Sequence, residues 1–264
     1  TDDMRDAPSL AILPRLVAAG AVVAIDTLTV PTPRVDARAL VLSSDGFGYL
    51  SSDGVERIDG ISPAIEELSP SQISMGVGSA FAAALTGDGL FVVTEGSDPL
   101  RVDSRAGLIA PSVDPFGYSW SVPSNDPGAV LAFQRDGSSS VVTTPWPEAS
   151  SIASLQVSRD GTRIAALISN GSTTRLVVAA VVRAEPGGAP TGIGDLHDLD
   201  ETTDEPRAVT WVDDRSIATL TEASDGTGAI AVQTIGSTTV PAPALDGATT
   251  IVGANTAQQV RALL

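Results

Sequence analysis

Few residues in this chain are suited to chemistry. There is a single histidine, His197, and no cysteine. The lack of cysteine removes thiol nucleophiles, disulfides and thiolate metal sites together. A serine hydrolase would have to use His197 as its base, because a serine needs an adjacent imidazole to activate it. No Gly-x-Ser-x-Gly elbow surrounds any serine. His197 lies in an acidic run with Asp195, Asp198, Asp200, Glu201, Asp204 and Glu205. Oxygen-rich loops bind calcium, but they place glycine and small residues between their ligands. Here Leu196 and Leu199 intervene, as packing residues would, so the run reads as a solvated acidic loop. Glycoside hydrolysis needs two carboxylates in a cleft, with rings for the sugar. With 32 acidic residues chance pairs are expected, and at 4% aromatic content the rings are scarce.

No catalytic, cofactor-binding or metal-binding residue is therefore assigned, and the chain reads as a binding domain, not an enzyme. Trp146, between Pro145 and Pro147 in an expected loop, is the candidate partner-binding residue, since exposed tryptophans anchor interfaces. Trp120 and Trp211 fall in strand-like runs and are expected to be packed inside. Asn170-Gly171-Ser172 matches a glycosylation acceptor, a string too short to carry a role.

Charge narrows the partners. The net charge is −17, and all 15 basic residues are arginine. Nucleic acid and anionic lipid would be repelled by such a domain. Acidic turns that keep the domain soluble explain most of this charge; a basic partner surface is allowed. The apolar stretch from Leu16 to Ile25 is about half a membrane span. Asp2, Asp3 and Asp6 stand where a signal peptide would be basic, so a strand pair is expected there, with any targeting signal upstream.

The elements around these residues are short. The 25 glycines and 18 prolines, beside 42% hydrophobic residues, suit many strands joined by tight turns. One helix is expected within 62–74, confined by Pro63 and Pro70. Elsewhere one unit recurs: apolar strand, polar turn, apolar strand. Its copies are Ala39–Ser52, Ala82–Thr94, Tyr118–Gln134, Leu155–Ile168, Val209–Thr221 and Thr250–Leu263. Their turns fall near positions 45, 88, 126, 160, 214 and 255, a mean spacing of 42, close to the roughly 40–45 residues of a four-stranded propeller blade. Glycine supplies the positive φ of such turns, and aspartate bonds to the backbone two residues on. Further strand material follows each of the first five hairpins, at Val55–Ile58, Leu100–Asp103, Ser139–Thr143, Leu176–Arg183 and Ala229–Ile235. The expected fold is thus all-β: a single six-bladed β-propeller over residues 1–264. The N-terminal strands within 1–35, at Leu10–Val30, close the last blade with the C-terminus, and 36–264 form the rest. Five or seven blades are the alternatives, because the interval of 54 residues before position 214 can hold extra strands.

Several strings at fixed spacing carry a family resemblance. They are Ser158-Arg159-Asp160-Gly161-Thr162-Arg163-Ile164-Ala165, then Leu176 to Arg183, then Val209-Thr210-Trp211-Val212-Asp213-Asp214 with Ile217 to Leu220. Upstream stand Leu108 to Asp114, Gly117, Tyr118 and Trp120. In this order they resemble the β-propeller domain of the LpqB lipoproteins of actinobacteria, most clearly over residues 105–221. Two departures stand out: Val113 occupies the tryptophan position of the family's Pro-Ser-Trp-Asp string, and the family's C-terminal tail is missing after Leu264. The resemblance implies a domain held at the outer face of the cytoplasmic membrane by a lipid anchor upstream of this chain. It also implies association with the MtrAB two-component system through the extracytoplasmic sensor of the kinase MtrB. It brings no catalytic residue and no cofactor. A propeller that binds a small molecule or glycan, as a degenerate hydrolase would, is the alternative function.

Overall fold

The computed structural model describes residues 39–43, 46–51, 54–76, 81–146, 150–171, 173–202, 206–212, 215–222, 227–236, 239–241 and 245–246. The chain divides into two units, 1–35 and 36–264, and every described residue belongs to the second. The closing strands expected at Leu10–Val30 and the sixth hairpin at Thr250–Leu263 lie outside the described residues.

Five antiparallel sheets follow one another along the chain. The first holds β1 (Ala39–Ser43), β2 (Gly46–Ser51) and β3 (Gly54–Arg57), and is followed by α1 (Ser62–Leu68). The second is β4 (Gln72–Met75), β5 (Phe81–Thr86), β6 (Gly89–Thr94) and β7 (Leu100–Asp103). The third is β8 (Ser112–Val113), β9 (Ser119–Ser121), β10 (Val130–Phe133) and β11 (Ser139–Val142). The fourth contains β12 (Ser151–Val157), β13 (Arg163–Ser169), β14 (Thr174–Arg183), β15 (Pro190–Ile193) and β16 (His197–Thr202). The fifth contains β17 (Pro206–Trp211), β18 (Ser216–Glu222), β19 (Thr227–Thr234), β20 (Thr239–Pro241) and β21 (Leu245–Asp246). Four of the five are complete blades, and the fold is an all-β propeller. The helix starts at Ser62 with Pro63 in its first turn, and Ser69, whose left-handed φ of 47° caps it, stops it before Pro70.

Side-chain alternation explains why the sheets stack. Successive residues of a strand point to opposite faces, so a strand buried on both sides feeds two cores. On β5, Ala82 and Ala84 join a cluster with Phe47, Ile58 and Ile65. Phe81, Ala83 and Leu85 face the other way, toward Val113 and Phe133 of the third sheet. On β13, Ile164, Ala166 and Ile168 pack with Trp120 and Ile152, while Ala165 and Leu167 pack with Val209, Trp211 and Ile217 of the fifth sheet. Val113 is buried in the same cluster as Phe81 and Phe133.

A hydrogen-bond series runs across the first strands. The Val113 N–H donates to Ser74 Oγ at 2.9 Å, the Val157 N–H to Ser112 Oγ at 2.9 Å, and the Val209 N–H to Ser154 Oγ at 3.2 Å. Each serine thus satisfies the backbone of the next blade, which the ladder of its own sheet does not reach. At the outer edge β15 crosses the gap. The Ile193 N–H donates to the Thr143 carbonyl at 2.8 Å, and the Thr143 N–H donates to Thr191 at 3.1 Å, joining the fourth sheet to the third.

The repeat is less uniform than the turn spacing implies. The turns near 88 and 126 join second and third strands, whereas those near 160 and 214 join first and second strands. The turn of the fourth sheet that matches 88 and 126 is at Gly171, with φ 91°. The interval before position 214 holds one additional strand, β15, and not a further blade.

Candidate functional site

The aspartates of the turns do the local work expected of them. Each bonds to the backbone N–H two residues on: Asp103 to Arg105, Asp114 to Phe116, Asp136 to Ser138 and Asp160 to Thr162. Two of them also join blades. Asp103, at the end of β7, accepts from Arg105 Nη2 at 2.7 Å and from Ser121 Oγ of the third sheet at 2.6 Å. Burial pushes the Asp103 carboxyl up, but the hydrogen bonds from Arg105 and Ser121 outweigh it and hold the group below its ordinary value. A depressed native pKa adds stability above the unfolded value of about 3.9, which is lost as pH falls through the native value. The melting temperature of the wild-type domain should therefore fall between pH 5 and pH 2. Asp103→Asn should start lower at pH 7 and fall less over this acid window; equal acid sensitivity of the two proteins would refute the role.

Asp114 is the second joining group, and it organises the site. Its side chain is fully buried. One oxygen accepts the N–H groups of Phe116 at 3.0 Å and Tyr118 at 2.9 Å. The other accepts Trp120 Nε1 at 3.2 Å and Arg183 Nη2 at 2.6 Å. Arg183 comes from the end of β14 in the fourth sheet and also donates to the carbonyls of Gly188 at 2.8 Å and Gly161 at 3.2 Å. Buried ions need such partners, since removal from water costs several kcal/mol per ion, although Arg183 Nε is itself buried without one.

Phe116 sits on this pair. It occupies the tip of Asp114-Pro115-Phe116-Gly117, a turn closed by the Gly117 N–H on the Asp114 carbonyl, with Gly117 at φ 88°. Its ring lies over the Arg183 guanidinium, 4.6 Å from the centroid. Two positive-φ glycines flank it. A Cβ on Gly161 would stand 2.5 Å from one ring edge, and one on Gly187 3.3 Å from the other. Only glycine allows the ring to lie there. Phe116 is nevertheless 44% exposed. A hollow of about 650 Å³ opens on one side, against Val181, Ala184, Glu185 and Pro186. A smaller one of about 290 Å³ opens on the other, against Gln134, Arg135 and Asp136.

The residues singled out by sequence fall elsewhere. Trp146 is only 8% exposed and belongs to the core between the third and fourth sheets. That corrects the expectation of a surface anchor: the indole joins the apolar cluster that contains Val142 and Ile152, where so large a ring gains most from burial. Trp120 and Trp211 are buried as expected. His197 is exposed on β16, and Asp198 pairs with Arg175 at 3.1 Å. Leu196 and Leu199 do pack against cores. Among the described residues no three potential ligands gather for a metal, and no helix is long and apolar enough to cross a membrane. Sequence reading missed Phe116. The available signal was an aromatic between proline and glycine, at a turn tip that strands cannot cover.

Stacked four-stranded antiparallel blades define a β-propeller. The chain belongs to the family of the lipoprotein LpqB β-propeller domain, which it matches over residues 42–262. It is accordingly an extracytoplasmic propeller module. In fold it is similar to a putative TolB from Agrobacterium tumefaciens, with 12% identity, a TM-score of 0.56, and 83% of this chain and 79% of that chain covered. It is also similar to a chain of the nidogen/laminin complex, with 8% identity, a TM-score of 0.55, and 82% and 80% covered. At such identities the likeness concerns the fold alone. No curated protein matches the sequence.

Proposed function

We propose that this domain is the non-catalytic binding module of a lipid-anchored lipoprotein and modulates a sensor histidine kinase of the MtrB type, as a six-bladed propeller closed by strands from both termini. The observation that carries the binding reading is Phe116, an exposed ring fixed on a buried ion pair between two blades. Membership of the LpqB family directs that reading toward a sensor at the outer face of the cytoplasmic membrane. Rigid strands holding variable turns is how scaffolds present binding surfaces. The charge of −17 favours a basic surface on the partner, so association should be salt-sensitive. The purified domain is expected to bind the extracytoplasmic domain of the kinase, with affinity falling about tenfold or more between low and high salt. Absence of binding by the propeller, with binding retained by the rest of the lipoprotein, would move the contact upstream and refute the proposal.

A further inference from the structure

Resting on the reading of the domain as a protein-binding module, we infer that the Phe116 surface receives an extended basic segment of a protein partner, with one bulky apolar side chain of that segment in the larger hollow. Arg183 supports the ring from below, and Gly161 and Gly187 hold its two edges. Its exposure therefore belongs to the outer face, and the ring needs no ordering before it binds, which removes one cost of association. The wall of the larger hollow is apolar at Val181, Ala184 and Pro186. Such a wall suits an aliphatic or aromatic side chain, whereas a sugar would turn hydroxyls against it. An extended chain sets side chains i and i+2 about 7 Å apart on one side, enough to straddle a ring with a hollow on each flank.

Charge selects the flanking residues. The arginines nearby are engaged: Arg183 by Asp114 at 2.6 Å, and Arg135 over the Phe81 ring at 5.0 Å. Exposed Glu185 stands at the larger hollow and exposed Asp136 at the smaller. The rim is thus acidic at the larger hollow, in a chain of net charge −17, whereas at the smaller one Asp136 stands beside the exposed Arg135. An apolar anchor flanked by a basic residue on the Glu185 side matches it, with the anchor filling a pocket and the charged rim setting orientation and rate.

The test uses the whole domain and a labelled octapeptide in which arginine alternates with leucine and tryptophan, followed by fluorescence polarisation. Control peptides replace the apolar residues by serine, or arginine by glutamate. The wild-type domain should bind the first peptide and neither control. Phe116→Ala should weaken binding about tenfold or more, and Glu185→Lys about threefold or more. Phe116→Leu keeps apolar bulk without a flat face and gives a second reading should the alanine variant lose its fold. Val141→Ser, at a residue that lines neither hollow and is 71% exposed, should change nothing. Equal binding by Phe116→Ala, or by the glutamate peptide, overturns the inference. So does binding of cellohexaose or chitohexaose through Phe116 in place of the peptide. The same variants measured against the kinase's extracytoplasmic domain separate the two proposals. Kinase binding unchanged in Phe116→Ala refutes this site alone. Peptide binding through Phe116, with no kinase binding by the wild-type domain, supports the site and refutes the assigned sensor.

Discussion

Replacing Asp114 by alanine is expected to cost about 3–5 kcal/mol of folding stability, because it strands a buried guanidinium. Arg183 is only 8% exposed and its partner is fully buried, so solvent cannot replace the lost carboxylate. The Tyr118 N–H and the Trp120 indole N–H would lose their acceptor as well, at about 1–3 kcal/mol for each donor left unsatisfied, overlapping with the first cost. Asp114→Asn keeps an oxygen for the two backbone N–H groups but sets an NH2 donor against Trp120 Nε1 and Arg183 Nη2, so it should recover only part of the loss. Arg183→Met made together with Asp114→Ala should recover part of the stability, since the double variant buries no unpaired ion. Urea unfolding at neutral pH measures all four proteins. A loss below about 1 kcal/mol for the alanine variant, the range of a surface pair, would show that water reaches the ion pair.

Much of this architecture is legible in the sequence, and the failures have physical causes. Gly89 and Asp160 announce their turns because positive φ and aspartate bonding are local. At Gly89, φ is 128° and a Cβ would collide with the Asp103 carbonyl, so the residue type follows from the backbone alone. Strands such as Leu100–Asp103 declare themselves by composition for the same reason. What stayed hidden depends on partners far along the chain. β8 is two residues long and exists only because β9 pairs with it and β4 and β12 flank it. Ser74, Ser112 and Ser154 look like ordinary polar residues until adjacent blades bring each against a valine N–H. Asp160-Gly161 is a stronger local turn signal than Gly171, and this displaces the fourth repeat by one strand. Asp114 and Arg183 are 69 residues apart. No local pattern joins them, and the platform they support could not be read without the fold. Ser112 and Asp114 belong to the string that resembles the family's, so the residues carrying the resemblance include those that fasten the blades.

The tryptophans separate packing from hydrogen bonding, and their variants should differ accordingly. Trp211 on β17 donates its indole N–H to the Gln156 carbonyl of β12 at 3.0 Å, and Arg163 lies 5.4 Å from its ring. It thus joins the fourth and fifth sheets through packing, a hydrogen bond and a cation–π contact. Trp211→Ala should cost about 3–5 kcal/mol, the range for removing a large buried aromatic. Trp211→Phe keeps most of the apolar area but removes the hydrogen bond to the Gln156 carbonyl, which the ladder with Ala165 still serves, at about 0.5–1.5 kcal/mol. Trp146 is also buried, but its indole nitrogen has no hydrogen-bond partner. A phenylalanine there removes a desolvated donor that gains nothing from burial. The lost ring volume offsets that relief, so Trp146→Phe should change stability by less than about 1 kcal/mol. Thermal and urea unfolding of the two phenylalanine variants gives the comparison directly. Equal losses at both positions would mean that ring volume alone decides the cost. A clear excess at Trp211 would show that its hydrogen bond to the neighbouring sheet helps hold consecutive blades together.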